Sequence, residues 1–477
     1  MKQKNIVIFL CDQMQQKAVM DESKAFMPNL RSLRRDAVTF CNAHSVNAIC
    51  SPSRASLLTG LLPHNHGMVD CTHTVPPYRS EFDDTLPTLT NELHDAGYVL
   101  AHYGKWHIER SYDLQKFGFG SYETERQIPK KQVHYLDKVV IHNEGYRDYT
   151  LCGVYQEGAE ASEEHYMVSK AIDFVQAQKD GDKPFCLVVS AYAPHDPYMV
   201  PQRMYDLYDK REIKIPDNWE KCEQRPSICN RLHEVWENLS SSDIVKAIRC
   251  YYSYCSLVDE EMGRLFDYLK QNDLYDDSLI LFLADHGDLV GNHGLFCKGV
   301  PSYEEGYSIP FVMKLPHGKA KGQECGAYAS SCDILPTVLD VEGLPWHGGK
   351  LDGMSLVPFI DHPEKCSDSF SIAEFHGQRF SYTQRIVWHK QLKYVFNAFD
   401  RDCLYDLRND PEEMHNLIDD PAYEEQKKEL VSLLWKKIVA SGDWSMQDAQ
   451  YCMHRLLPVG PGEVPMGDNF KRFNLGF

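Results

Sequence analysis

The chain contains no apolar run approaching the roughly 20 residues that a membrane-spanning helix requires, so it reads as a protein without a membrane partner. It also lacks positive charge. Its 50 Lys and Arg stand against 69 Asp and Glu, a formal net charge of -19. That balance argues against non-specific binding to nucleic acid or to an anionic lipid surface. The 16 cysteines never fall into Cys-x-x-Cys spacing, which leaves neither a zinc knuckle nor a dithiol redox pair. There is no fixed-period repeat, no low-complexity tract and no signal for an oligomeric state. The opening residues lead straight into Ile6 to Cys11, an apolar run too short for a signal-peptide core and without a small-residue cleavage site. The expectation is a cytoplasmic protein whose cysteines are mostly reduced core thiols.

What is present is ample core material, 43% hydrophobic residues, in a length that suits one large domain with an appendage. Asn5 to Leu10, Val99 to Tyr103, Phe185 to Ala191 and Leu279 to Ala284 are short continuous apolar runs, the pattern of strands buried on both faces. Between them, Leu86 to Ala96 reads as a helix capped by Thr85 and stopped by Gly97. Ile244, Ile248, Tyr251, Cys255, Val258, Met262, Leu265 and Leu269 recur at helical spacing. Asp333 to Leu339 reads as a further helix. Alternating strands and helices predict an α/β sandwich around a mostly parallel sheet over residues 1–365. From 366 to 477 the texture changes to a smaller α+β subdomain with an antiparallel sheet. Its strands are Phe380 to Trp388 and Leu392 to Phe396. A turn at Leu404-Tyr405-Asp406-Leu407, a helix from Glu424 to Val439 and an irregular tail from Leu456 to Phe477 follow.

Polar clusters fall just past several strands: Asp12-Gln13, Gly104-Lys105-Trp106-His107, Pro194-His195 and Asp285-His286-Gly287. Ligands bind at that rim in open α/β sheets. One further string stands out, Cys50-Ser51-Pro52-Ser53-Arg54-Ala55-Ser56-Leu57-Leu58-Thr59-Gly60. Pro52 suits a first helical turn, Ser51 or Ser53 can cap it, and Gly60 is a natural stop. Cys50 would then lie at a helix N-terminus, where free amides favour an anion. Arg54 lies one turn along on the same face.

This string resembles the signature of the formylglycine-dependent (type I) sulfatases of the alkaline phosphatase superfamily. The likeness extends along nearly the whole chain, through Pro63-His64-Asn65-His66-Gly67, Gly104 to His107, His293 to Lys298 and Asp333-Ile334-Leu335-Pro336-Thr337 to Leu404 to Leu407. It implies an alkaline-phosphatase-like fold and a sulfuric ester hydrolase. Cys50 is then oxidised to formylglycine by a formylglycine-generating or anaerobic sulfatase-maturating enzyme. It implies a metal site of Asp12, Gln13, Asp285 and His286 with the modified Cys50. Oxygen-rich donors suit Ca2+, with Mg2+ or Mn2+ as alternatives. It implies Lys105 and Lys298 as the sulfate grip, His195 as general acid, His107 as base and Arg54 as the residue orienting the nucleophile. In many sulfatases an Asp stands where this chain has Gln13. The Asp-Gln version is similar to choline sulfatases, phosphonate monoester hydrolases and some carbohydrate sulfatases.

The cluster His376, Gln378, Arg379, Tyr382 and Arg385 lies where family members reach toward the leaving group, making His376 and Arg379 candidate substrate contacts. The substrate implied is a small sulfated mono- or oligosaccharide. A phosphonate monoester or phosphodiester, and choline or aryl sulfate, are the competing substrates. A protein that only holds sulfated ligands fits less well, because Lys105, His107, His195 and Lys298 are all present.

Overall fold

A computed structural model describes residues 3–142, 147–220, 225–300, 302–398 and 400–447. The tail expected at Leu456 to Phe477 lies outside the described residues. Eight strands form the central sheet. Their order is Glu324–Ser330, Val38–His44, Phe311–Lys314, Leu279–Ala284, Ile6–Cys11, Phe185–Ala191, Val99–Gly104 and Ser121–Thr124. All neighbouring pairs are parallel except the two made by Phe311–Lys314, which runs against Leu279–Ala284 and Val38–His44. The three innermost runs foreseen from sequence are buried along nearly their whole length. Leu279–Ala284 has no exposed residue, as a strand covered by helices on both faces requires.

The helix Ser241–Gln271 packs against the helix Glu163–Gln178 and buries the whole apolar series from Ile244 to Leu269. Ser240 caps it by accepting from the Asp243 amide. The helix Ile334–Glu342 packs against Cys50–Thr59. Leu89–Asp95 is shorter than the sequence suggests, and Thr88, not Thr85, is its cap. The reason is local. Pro87 disfavours helical geometry at Leu86, and Asp83 accepts from both the amide and the hydroxyl of Thr85.

A second, antiparallel sheet runs Ser371–Gln378, Phe380–His389, Leu392–Asn397, Cys403–Asp406. The segment expected as a turn at Leu404 is therefore its edge strand. Cys403, Leu404 and Tyr405 are buried there, and burial outweighs the local turn composition. The helix Glu424–Ser441 lies against this sheet. A third sheet, Tyr135–Ile141, Tyr149–Tyr155 and Tyr198–Pro201, was not foreseen. Its strands lack clean alternation, and Tyr198–Pro201 ends in proline.

Candidate functional site

Parallel register brings the strand ends level. Cys11 pairs with Ala284 on one side and Ala191 on the other, and Gly104 pairs with Ser190. Asp12, Asp285, Tyr192 and Lys105 are therefore the next residues along four adjacent strands. Gly104 makes the exit possible. Its φ is 118°, and a Cβ there would collide with the Ser190 carbonyl oxygen, which instead accepts from the Lys105 amide at 2.8 Å.

The helix Cys50–Thr59 aims its N-terminus into this rim, with all ten residues buried, and Gly60 ends it in the left-handed conformation. Neither Ser51 nor Ser53 caps it. Cys50 is already helical and Ile49 is the cap, so both serines lie inside the first turn. The Ser53 hydroxyl donates to the Asp285 carbonyl at 2.5 Å, and Ser51 Oγ accepts from the Thr72 amide at 3.1 Å. The serines fasten the helix to the sheet and to a loop rather than to its own amides.

Four polar groups surround Cys50 Sγ: Lys298 Nζ at 3.1 Å, His286 Nε2 at 3.2 Å, Asp12 Oδ1 at 3.5 Å and Lys105 Nζ at 3.6 Å. Burial alone would raise the thiol's pKa. The charges of Lys105 and Lys298, then His286, outweigh it and hold the thiol well below its ordinary value. At Asp12, burial and the Cys50 sulfur push upward, but Lys105, His195 and Lys298 keep the carboxyl below its usual range. Lys105 Nζ pairs with Asp12 Oδ2. Arg54 Nε donates to Asp285 Oδ2 at 2.7 Å, Nη1 donates to the Lys105 carbonyl and to Ser190 Oγ, and Nη2 lies 3.7 Å from Asp12 Oδ2 without a hydrogen bond.

Asp12, Cys50, Asp285 and His286 each offer a ligand atom within 4.8 Å of the others, all buried. His286 Nδ1 donates to the Gly287 carbonyl at 2.9 Å, which aims Nε2 at Cys50 and Asp12, where it would bind a metal as a neutral imidazole. Carboxylates plus one imidazole suit a hard divalent cation. Gln13 sits beside this group at a φ of 63°. Its amide nitrogen donates to Asp285 Oδ1 and its side-chain oxygen accepts from Lys298 at 2.6 Å. Its side-chain NH2 donates to Asp196 at 2.9 Å and Asp288 at 2.5 Å. Asp288, where burial raises the pKa to about 6, and Asp196, where the His195 and Lys298 charges overcome burial and lower it to about 2, are thus part of the site. Sequence reading missed both, although Asp288 closes Asp285-His286-Gly287 and Asp196 follows His195.

His195 Nε2 lies 2.7 Å from Lys298 Nζ, and Nδ1 donates to the Asp196 carbonyl at 2.6 Å. The cleft above is about 640 Å³ and also receives His107, Arg379 and Gln378, with Tyr149 and Trp236 on another wall. Tyr149 donates to Asp196 and stacks edge-on against Trp236 at 6.0 Å. His376 and Arg385 are not among the lining residues. His376 lies 3.6 Å from Glu374, and Arg385 is buried against Asp443 at 2.7 Å. The register shift between Phe375 and Gly377 breaks the simple alternation that grouped these residues. Tyr149, Trp236, Cys71 and His73 also line the cleft without having been singled out. They come from loops and an unforeseen strand, where spacing carries no periodic signal.

The family model described as Sulfatase matches residues 4–344, and that of the N-sulphoglucosamine sulphohydrolase C-terminal region matches 291–440. Choline-sulfatase of Rhizobium meliloti (strain 1021) is 28% identical over 448 residues, covering 87% of this chain and 83% of that protein. The N-acetylglucosamine-6-O-sulfatase of Bacteroides thetaiotaomicron is 25% identical over 479 residues, covering 85% of this chain and 81% of that one. Among solved structures, the phosphonate monoester hydrolase of Silicibacter pomeroyi superposes with a TM-score of 0.74 at 22% identity, covering 92% and 96% of the two chains.

Proposed function

The chain belongs to the sulfatase family and is a sulfuric ester hydrolase, and from that premise we propose that it desulfates a small sulfated carbohydrate through formylglycine formed from Cys50. The observation that carries the reading is the convergence of Lys105, Lys298, His286 and Asp12 on the Cys50 side chain at a helix N-terminus. The sulfur stands where the oxygens of an aldehyde hydrate would act.

Asp12, Asp285 and His286, with Gln13 beside them, would hold a divalent cation, which we assign as calcium. When bound, such an ion lowers the pKa of a neighbouring hydroxyl and offsets negative charge on the reacting group. The chain's own residues do the rest. Lys105, at a strand end, and Lys298, on the loop after Asn292–Gly294, flank the nucleophile, so they grip sulfate oxygens and stabilise charge that builds at sulfur. In a protein of net charge -19, this local concentration of cations is what draws an anion in. His195 Nε2 faces the cleft beside Lys298 and protonates the departing alcohol oxygen. His107, which also lines the cleft, would take the proton from the hydrate's second hydroxyl. Arg54 acts through Asp285 and the Lys105 carbonyl, fixing both against the helix that carries Cys50.

A cleft of about 640 Å³ suits a small ligand. The aromatic rings of Tyr149 and Trp236 together with Arg379 in one cleft suit a sugar ring bearing polar groups. The kinship with a sulfatase named for N-acetylglucosamine 6-sulfate points the same way. The test is a panel of sulfated mono- and disaccharides, choline sulfate, an aryl sulfate and the matched phosphate and phosphonate esters. The highest kcat/KM on a sulfated sugar is expected. A preference for phosphonate monoesters or choline sulfate would overturn the substrate assignment.

A further inference from the structure

Beside the oxygen-rich group lies a second cluster of a different chemical character. Cys71 Sγ is 3.4 Å from His73 Nδ1 and 3.6 Å from His107 Nε2, and the two nitrogens are 2.6 Å apart. We propose that Cys71, His73 and His107 form a binding site for zinc or a similar thiophilic divalent ion, and that its occupation inhibits the enzyme.

Geometry supports the ligand set. Around a tetrahedral zinc with bonds of about 2.3 Å to sulfur and about 2.0–2.1 Å to nitrogen, each S···N edge is about 3.5 Å and the N···N edge about 3.3 Å. Both S···N edges are already at that length. The third is closed by a hydrogen bond between the rings and must open by somewhat under about 1 Å. At His107 the Nδ1 atom makes no hydrogen bond among the described residues that would hold the ring against that opening. His73 is exposed at the surface and can move as well.

The loop that presents Cys71 and His73 is nonetheless built firmly. The Cys71 amide donates to Asp70 Oδ1 at 2.6 Å, and the Thr72 amide donates to Ser51. The Arg110 guanidinium donates to the carbonyls of Thr72, Val75 and Ser80. All three ligands line the cleft, and three protein ligands leave a fourth position for an exchangeable one, as in zinc sites of that kind. One thiolate and two imidazoles select zinc over calcium, whereas Asp12 and Asp285 select the reverse. The two clusters therefore need not compete for the same ion. Zinc on His107 Nε2 would engage the residue proposed above as the base. The binding claim stands apart from turnover, while the inhibition claim rests on the proposed function.

The test uses the full-length, matured enzyme and cobalt as the spectroscopic probe for zinc. Wild-type protein titrated with Co2+ is expected to show a thiolate-to-cobalt charge-transfer band that is lost in Cys71→Ser and kept in Cys50→Ala. Zn2+ is expected to inhibit hydrolysis, with the half-inhibiting concentration, measured against each variant's own activity, rising more than about tenfold in Cys71→Ser and in His73→Ala. His73 is at the surface, so its variant keeps the test sound if Cys71→Ser folds poorly. A band that persists in Cys71→Ser would overturn the site. Undiminished zinc sensitivity in His73→Ala, with the band confirmed, would overturn the inhibitory role alone.

Discussion

Cys50 is held by groups that make sense together only around an oxygen nucleophile and an anion. A serine there would still sit between Lys105 and Lys298, but an ester formed on it has no internal route to release. Cys50→Ser is expected to liberate at most one equivalent of alcohol per enzyme and then stop, read as a burst without a steady state. His195 gives a finer test. Loss of a general acid costs about 10²–10⁴ in rate when the leaving group is a poor one. His195→Ala is therefore expected to cut kcat on a sugar sulfate by that range and to affect a nitrophenyl sulfate far less. Equal losses on both esters would remove His195 from the proton-donating role. Cys50 and His195 could be singled out because one opens a contiguous helical string and the other closely follows a strand, where position in sequence nearly dictates position in space. His73, Trp236 and Tyr149 were not, since their approach to the cleft depends on how separate loops fold back.

The strand exits and the helix Cys50–Thr59 turn that chemistry into geometry. Gly104→Ala adds a Cβ against the Ser190 carbonyl at a φ that disfavours any side chain. It is expected to displace Lys105 and to reduce kcat/KM by more than about tenfold, since misplacement of about 1 Å at a reacting group costs far more than that. Kinetics with a circular-dichroism control on folding would check it. A second element-level contact joins the loop after the signature helix to the antiparallel sheet: His64 Nδ1 meets Glu374 at 2.8 Å. Burial alone would lower the imidazole pKa, but Glu374 overrides it and lifts it to about 9. The folded state therefore holds this proton more tightly than the unfolded chain, whose histidines titrate near about 6.5. The stabilisation, on the order of 3 kcal/mol, is complete below that value and is lost as pH rises through about 9. Urea unfolding of wild type and His64→Gln is expected to differ most at pH 6 and to converge above pH 9. A constant difference would refute the ion pair's role. The innermost strands and the long helices were readable from apolar runs, whereas the flanking strands Val38–His44, Ser121–Thr124, Phe311–Lys314 and Glu324–Ser330 and the three-stranded sheet were not. Thr88 in place of Thr85 and a strand at Cys403–Asp406 in place of a turn were decided by Pro87 and by burial against a neighbouring strand.

At the scale of the molecule, one rim of a mostly parallel sheet collects residues separated by hundreds of positions, while loops and the antiparallel sheet wall the cleft above. The acidic chain concentrates its site cations there. Removing the divalent ion should leave the buried Asp12 and Asp285 carboxylates balanced by Arg54, Lys105 and His286 alone among their ion-pair partners in the described residues. Chelation is expected to abolish turnover and lower the Tm, with calcium restoring both. Recovery of activity by magnesium or manganese alone would reassign the ion. The central claim concerns the side chain at position 50. Peptide mass spectrometry across that residue, on fractions graded by specific activity, tests it directly. The account predicts that activity rises in proportion to the share of peptide in which the thiol has become an aldehyde. Full activity in material that carries only the intact cysteine would contradict it.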